Sequence, residues 1–290
     1  MAKLRIRKSN HALNRSLGGD IAINIILIIF GAFMFIPMFY AILQSIKPLD
    51  ELFIFPPRFF VVNPTLKNYG DLFRLMSTSW VPFSRYIFNT IFISAVGTFG
   101  NLMLSSVSAY ALKKVQAPGS NGMFRLVQYS LMYNAAVAGI MNFVTMSMLH
   151  WVDTYLAIVI PAFASSLGLY LMGQFMDSSV PAEIVESARL DGSGEWRTYW
   201  SIAMPLVKPA WLTLIIFSFQ GLWNYGASIY IQSEQLKTFT YAIQQILAGG
   251  IVRSGAAAAS TVVMMVVPVV VFIISQSNII ETMASSGMKD

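Results

Sequence analysis

The residue types best suited to chemistry gather in one polar stretch, residues 177–208, which reads DSSVPAEIVESARLDGSGEWRTYWSIAMPLVK. Its Asp177, Glu183, Glu186, Asp191 and Glu195 are interspersed with Arg189, Arg197 and Lys208, a mixed-charge pattern suited to holding a partner. Nothing there or elsewhere assembles a catalytic set. The chain has no Cys, which removes thiolate catalysis, iron–sulfur ligation and cysteine-type zinc. Its two imidazoles, His11 and His150, belong to no HExxH pattern, and neither a GxSxG elbow nor a GxxxxGKS/T phosphate loop occurs. The chain therefore shows no means of hydrolysing ATP by itself, and catalytic residues, metal ligands and cofactors of its own are not expected.

The elements that must position this stretch follow from composition. Of 290 residues, 56% are apolar and 11% charged, against about 25% charged in ordinary globular chains. The mean hydropathy is +0.63, which argues for an integral membrane protein of several spans. A charge at the bilayer centre costs roughly 2.5–3.5 kcal/mol, so long charge-free windows mark the spans. Six occur, at 21–46, 86–112, 126–152, 154–176, 209–233 and 254–280, each longer than the roughly 20 residues that a spanning helix needs. The expected fold class is all-α, a polytopic membrane protein of six transmembrane helices, with spans at 21–46, 86–112, 126–150, 154–176, 207–232 and 254–280. Residues 238–252, which contain Gly249-Gly250, read as a re-entrant or surface segment.

A basic tail, residues 1–20 with Lys3, Arg5, Arg7, Lys8 and Arg15, precedes a first helix that lacks a small-residue cleavage site. The positive-inside tendency puts that tail, Lys113, Lys114 and Arg125 in the cytoplasm. Alternation then makes both termini cytoplasmic and residues 177–206 a cytoplasmic loop, although Lys47, Arg58, Lys67 and Arg74 make the first outer segment basic too. Within the second window Asn89, Ser94, Thr98, Asn101, Ser105 and Ser108 recur around Gly97 and Gly100. They suit either a helix buried in a bundle or one lining a wet pathway. The six windows hold no acid or base, which counts against a proton-coupled pump.

In the 177–206 loop, Pro181 suits the first turn of a helix and Glu183 its positive end. Ala182, Val185 and Ala188 leave one small, flat face, and Gly192 can end the helix in a left-handed conformation. A second short helix is expected from Glu195 to Ala203, stopping at Pro205. Such helices have too little apolar area to stand alone. They dock on a partner or lie at the membrane interface, and the acidic face favours a protein.

Glu186-Ser187-Ala188, three residues, Gly192, nine residues, then Ile202-Ala203-Met204-Pro205 resembles the EAA signature of membrane subunits in ABC importers. Ser187 and Met204 are the departures, and both keep size or apolarity. Asn68-Tyr69, Asn89-Thr90, Trp223-Asn224, Gln276 and the terminal Gly287-Met288-Lys289 extend the likeness to the carbohydrate-uptake branch, similar to the second permease subunit of maltose-type systems. Tyr225-Gly226-Ala227-Ser228 departs from that branch. The resemblance implies a type I importer fold and half of a translocation pathway in a bacterial plasma membrane. It also implies a second permease, two ATPase subunits that bind ATP and Mg, an extracellular solute-binding protein and a sugar or oligosaccharide substrate.

On this resemblance Glu183, Glu186, Ser187, Ala188, Asp191, Gly192, Ile202 and Pro205 would engage the ATPases. Sugars are held by aromatic faces together with amides, so Trp223, Asn224 and Tyr225, with Asn101 and Asn134, are candidate pathway residues. For each of these, packing or bonding to a neighbouring helix is an equally open reading. An importer of a non-sugar solute is the alternative, followed by a membrane scaffold or enzyme.

Overall fold

The computed structural model describes residues 17–77, 80–132, 135–226 and 229–286. The basic tail up to residue 16, Asn134, Ala227-Ser228 and the Gly287-Met288-Lys289 terminus lie outside them. Every regular element among the described residues is helical. The first half contains α1 (Leu17–Ser45), α2 (Leu49–Leu52), α3 (Lys67–Ser77), α4 (Phe83–Tyr110), α5 (Ser120–Ser130), α6 (Ala135–Met148) and α7 (Leu156–Phe163). The second contains α8 (Ser166–Ser179), α9 (Ala182–Leu190), α10 (Glu195–Thr198), α11 (Met204–Leu206), α12 (Lys208–Trp223), α13 (Phe239–Leu247) and α14 (Ser254–Ser286). Two π turns, Ala111–Val115 and Tyr199–Ala203, continue α4 and α10.

Four helical stretches among the described residues are long and apolar enough to cross a membrane: Gly18–Ser45, Phe83–Val115, Leu156–Ser179 and Ile251–Ser275. A fifth results if Glu195–Leu206 and Lys208–Trp223, bent by 82°, count as one. The bend has a covalent cause. Pro209 has no N–H to offer the carbonyl four residues back, so α12 begins there on a new axis, and the Trp211 indole N–H donates to the Met204 carbonyl at 3.2 Å. The expected window 126–150 is divided between α5 and α6. Ser130 Oγ turns back onto the Val127 carbonyl at 2.7 Å, a bond that competes with a continuing helix. The window 207–232 is helical only to Trp223. The 238–252 segment, read as surface or re-entrant, forms α13, whose Ile243 and Ile246 are buried beside Tyr86 of α4 and Ala256 and Ala259 of α14.

Helix α4 is the centre of the bundle, packed against α7, α8 and α12 and touched by α13. Its Asn89, Ser94, Thr98, Asn101 and Ser105 are all buried, as a helix surrounded by protein requires. Close approach depends on glycine. A Cβ on Gly97 would meet Leu222 Cδ1 at 2.5 Å, and one on Gly100 would meet the Phe163 ring at 2.0 Å. Helix α1, by contrast, packs mainly on α14 and leaves Ile28, Phe33 and Met34 exposed, a surface that suits lipid.

Side chains cover the places where these helices break. The span formed by α7 and α8 is interrupted at Ala164-Ser165, where Asn101 Nδ2 donates to the Ala162 carbonyl at 2.8 Å and Ser165 Oγ caps α8 by accepting from Gly168 N at 2.9 Å. Beyond α12, Asn89 Nδ2 donates to the Gln235 and Lys237 carbonyls, both at 2.8 Å. Its Oδ1 accepts from the Tyr155 hydroxyl at 2.7 Å, and Thr90 Oγ1 accepts from Phe239 N at 2.8 Å. Asp153 pins the same segment by accepting from Gln232 N at 3.0 Å and Ser233 N at 2.8 Å. At the end of α1, Asn68 Nδ2 donates to the Ser45 and Lys47 carbonyls at 2.9 and 2.6 Å.

Replacing Gly100 with Val should overpack the crossing of α4 and α7 and cost about 1–3 kcal/mol, read as a lowered unfolding midpoint in detergent. Replacing exposed Gly122, where a Cβ meets nothing within 4 Å, should leave that midpoint unchanged.

Candidate functional site

The polar stretch folds as two short helices. Pro181 stands in an extended conformation immediately before α9, as its N-cap and not inside its first turn, and Glu183 occupies that turn. Val185 and Ala188 face inward, while Glu183, Ile184, Glu186, Ser187 and Leu190 are exposed. The helix ends in a Schellman motif: Gly192 N donates to the Arg189 carbonyl at 3.0 Å and Ser193 N to the Ala188 carbonyl at 2.9 Å. Gly192 itself has φ +78, a left-handed conformation that glycine adopts without penalty.

Five of the eight expected partner-binding residues line one shallow concavity of about 330 Å³. They are Glu183, Ser187, Ala188, Asp191 and Ile202, joined by Ile184. Glu186 lies on the exposed face outside it, Gly192 makes the adjoining turn, and Pro205 is exposed in α11. The second helix does not stop at Pro205 as expected. The wide turn at Tyr199–Ala203 carries the chain through it to Leu206. Around the concavity stand large apolar side chains with no cover: Leu190 is 89% exposed, Trp196 64% and Trp200 47%. Large apolar side chains left uncovered and edged by acids mark an interaction surface.

A second set of residues, not singled out in the sequence, ties this surface to the bundle. Arg189 Nε donates to Glu195 Oε1 at 2.6 Å, and the Tyr110 hydroxyl donates to Glu195 Oε2 at 2.8 Å. Arg189 Nη2 donates to the Lys114 carbonyl at 3.1 Å, placing a cation where the C-terminal end of a helix favours one. The Tyr199 hydroxyl lies 2.7 Å from Ser106 Oγ, and its ring meets Tyr110 edge-on at 5.6 Å. Alongside, Lys113 pairs with Asp177 and sits 3.8 Å from the centre of the Phe124 ring. The Arg189 guanidinium holds the Glu195 carboxyl below the usual carboxylate range, and Glu195 in turn raises Arg189. Six residues separate Arg189 from Glu195, a spacing that no single helix turns into a neighbour pair, so only the Gly192 turn reveals them.

No protein-family model matches the chain. Over 223 residues it is 31% identical to Protein LplC of Bacillus subtilis, a match that covers 74% of this chain and 71% of that one. The chain belongs to the permease family of carbohydrate-uptake ABC importers. A sn-glycerol-3-phosphate transport system permease protein, UgpE of Yersinia enterocolitica, is 29% identical over 210 residues, 71% of this chain and 74% of the relative. The arabinooligosaccharides transport system permease protein AraQ of Bacillus subtilis is 25% identical over 230 residues, 79% and 81% of the two chains. The fold agrees. A chain of a bacterial ABC transporter involved in the import of the acidic polysaccharide alginate superposes with a TM-score of 0.75 at 22% identity, over 91% of this chain and 98% of that one. This is thus a multi-pass membrane permease, a transport subunit and not an enzyme, working with a second permease, ATPases and a binding protein.

The candidate pathway residues of the permease fall in two places. Trp223, Asn224 and Tyr225 lie at the end of α12, which stops beside the middle of α4, where Leu222 adjoins Gly97. Trp223 is buried, stacks on Phe219 at 5.6 Å and donates from its indole to the Met264 carbonyl at 3.2 Å. Asn224 is exposed and bonded to the Gln220 carbonyl at 2.9 Å, and Tyr225 is half-buried. Asn101 is bonded at the break between α7 and α8, to Ala162, which packs with Leu222 and Tyr225 in one apolar cluster. Asn134 lies outside the described residues.

Because the folded-state carboxyl of Glu195 titrates below its unfolded value, the bond to Arg189 contributes fully above the ordinary carboxylate range and is lost as pH falls through the lowered value. Hydrogen exchange of the α9 amides in the intact transporter should therefore be equally protected from pH 8 to 5, once corrected for intrinsic rates, and should lose protection only below that range.

Proposed function

We propose that this chain forms half of the translocation pathway of an ATP-driven importer for sugars or oligosaccharides and that the 181–205 loop is its mechanical link to the ATPases. The single membrane domain is 21–290, with six spans near 21–46, 86–112, 126–150, 154–176, 207–232 and 254–280. The 1–20 tail and the coupling loop 177–206 lie in the cytoplasm of a bacterial cell, as do both termini. The observation that carries the reading is the exposed surface of α9 and α10. Two ordered short helices, stopped by a left-handed glycine, present Leu190, Trp196 and an acidic concavity to the outside of the bundle. A cleft on an ATPase would cover Leu190 and Trp196, and basic groups there would meet Glu183, Glu186 and Asp191.

ATP and Mg are bound by the partner ATPases, and the free energy of closing them reaches this chain only through the loop. As the ATPases close, α9 is displaced and the bundle turns from inward to outward facing, so that an extracellular binding protein delivers its solute. Hydroxyl-rich solutes suit the end of α12, where the exposed amide of Asn224 adjoins the rings of Trp223 and Tyr225. The relatives named for arabinooligosaccharides and sn-glycerol-3-phosphate support a polyhydroxylated substrate. The latter also favours a second reading, an anionic polyol, which would be recognised by loss of stimulation when its charged group is removed.

The deciding experiment is purification from native membrane in mild detergent, followed by identification of the accompanying chains and a screen for solutes that stimulate ATP hydrolysis in the presence of the binding protein. Recovery of a second permease and an ATPase, with stimulation by a sugar, is expected. Recovery of this chain alone, stable and without an ATPase, would overturn the reading.

Two substitutions test the coupling surface. A Cβ on Gly192 meets no atom within 4 Å, so Gly192→Val acts through backbone strain, about 1–2 kcal/mol or more. It should lower solute uptake per ATP hydrolysed, and normal uptake would count against the role. Leu190→Glu should weaken ATPase retention about tenfold or more while leaving the thermal stability of this chain unchanged, as befits a side chain 89% exposed.

A further inference from the structure

The displacement of α9 has to reach the long central helix, and one carboxylate stands between them. Glu195 accepts from Arg189 of α9 with one oxygen and from Tyr110 of α4 with the other. Arg189 reaches past it to the carbonyl of Lys114, in the π turn that ends α4. That carbonyl is one of the last of its helix and has no partner further along the chain, so the guanidinium closes a triangle between α9, α10 and α4. Tyr110 is buried and packs edge-on against Tyr199 in the second π turn. The Tyr199 hydroxyl meets Ser106 one helical turn higher on α4. Other groups facing the triangle are Glu186, which acts on Arg189 from one turn earlier in α9, and Lys114, which contributes its backbone. The remaining ion pair of the region, Lys113 with Asp177, joins α4 to α8 and bypasses α9.

Resting on the coupling role proposed above, we propose that Glu195 is the positioning residue that makes α9 and the C-terminal end of α4 move as one body. The buried side chains of α9, Val185 and Ala188, are small, and their contact can slide. A charge-assisted pair that shares its acceptor with a buried tyrosine is directional and cannot slide without breaking. Removal of the link leaves the coupling surface intact, because Leu190, Trp196 and the concavity do not depend on the carboxylate. The prediction is a transporter that keeps its ATPases and loses the transmitted motion.

The chain has no native Cys, so spin labels can be placed singly on the complete transporter purified with its ATPases and binding protein. One pair, Ala182→Cys with Val115→Cys, reports the distance from the exposed start of α9 to the end of α4. A second, Val115→Cys with Ile251→Cys, reports the motion of that end relative to the start of α14. Distances are measured with and without Mg2+ and AMP-PNP. In the unsubstituted background the second pair should change and the first should stay constant. With Tyr110→Phe or Glu195→Ala, the first pair should change by more than about 2 Å on adding nucleotide, and the change in the second should shrink. Glu195→Gln, which keeps one acceptor, should be intermediate, and combining Tyr110→Phe with Glu195→Ala should add nothing to Glu195→Ala alone, since the acceptor of the tyrosine hydroxyl is then already gone. A first pair that stays constant in both single variants, or that already changes in the unsubstituted transporter, overturns the inference. Tyr110→Phe keeps its packing and serves where Glu195→Ala fails to assemble. If neither pair responds in the unsubstituted transporter, the coupling reading itself fails and the inference falls with it.

Discussion

A backbone carbonyl or N–H in the hydrocarbon of a bilayer has no water to turn to, and each one left unsatisfied costs several kcal/mol. That constraint governs this permease because two of its apolar windows are broken beside the central helix. The α7–α8 span breaks at Ala164-Ser165, and α12 ends at Trp223 beside the middle of α4. Side chains make good both interruptions: Asn101 of α4 serves the Ala162 carbonyl and Thr240 Oγ1 the Trp223 carbonyl, while Asn89 of α4 holds the carbonyls of Gln235 and Lys237 in the segment between. The polarity of α4 is therefore the condition under which its neighbours can be broken, and its burial is the condition under which that polarity is tolerated. Glycines at 97 and 100 bring the broken segments within reach.

The same helix joins the two ends of the molecule. At one end Asn89 and Thr90 gather the irregular 224–238 segment, and Asp153 clasps it from the α6–α7 turn. At the other, Tyr110 and Ser106 meet the loop helices through Glu195 and Tyr199. Under the proposed coupling role, a displacement entering at α9 would meet a single helix whose Thr90 also holds Phe239 N, next to Thr238, whose Oγ1 donates to the Tyr225 carbonyl at 2.7 Å.

Much of this was legible in the residues. Charge-free windows located α1, α4, the α7–α8 span and α14 because the cost of a buried charge is large and local. The loop helices were legible because Pro181 and Gly192 each have one strong backbone preference. Less visible was where a window ceases to be one helix. The 126–150 and 207–232 windows are predominantly apolar, and apolarity reports depth in a membrane, not hydrogen-bond pattern. The division at Ser130 depends on a hydroxyl that turns back onto its own helix, and the end at Trp223 on bonds with residues distant in sequence. The Arg189–Glu195–Tyr110 triangle was hidden for the same reason, since Tyr110 closes an apolar window 85 residues before its partner. Five of the loop residues expected to act together do share one concavity, whereas Asn101 and Trp223 each spend their polar group on a backbone carbonyl of a neighbouring helix.

The π turns at Ala111–Val115 and Tyr199–Ala203 face one another through Tyr110 and Tyr199. Each accommodates one residue more than an α-helical turn of the same rise. Losing a residue from either would restore regular α-helix and in isolation would relieve an energetically poor turn. Because the wide turn takes up the extra residue within itself, the helix beyond it would keep its place, and what would change is the wall of the turn where Tyr110 and Tyr199 meet. These two five-residue stretches are thus where the chain could shorten by one residue with the least displacement of the helices on either side.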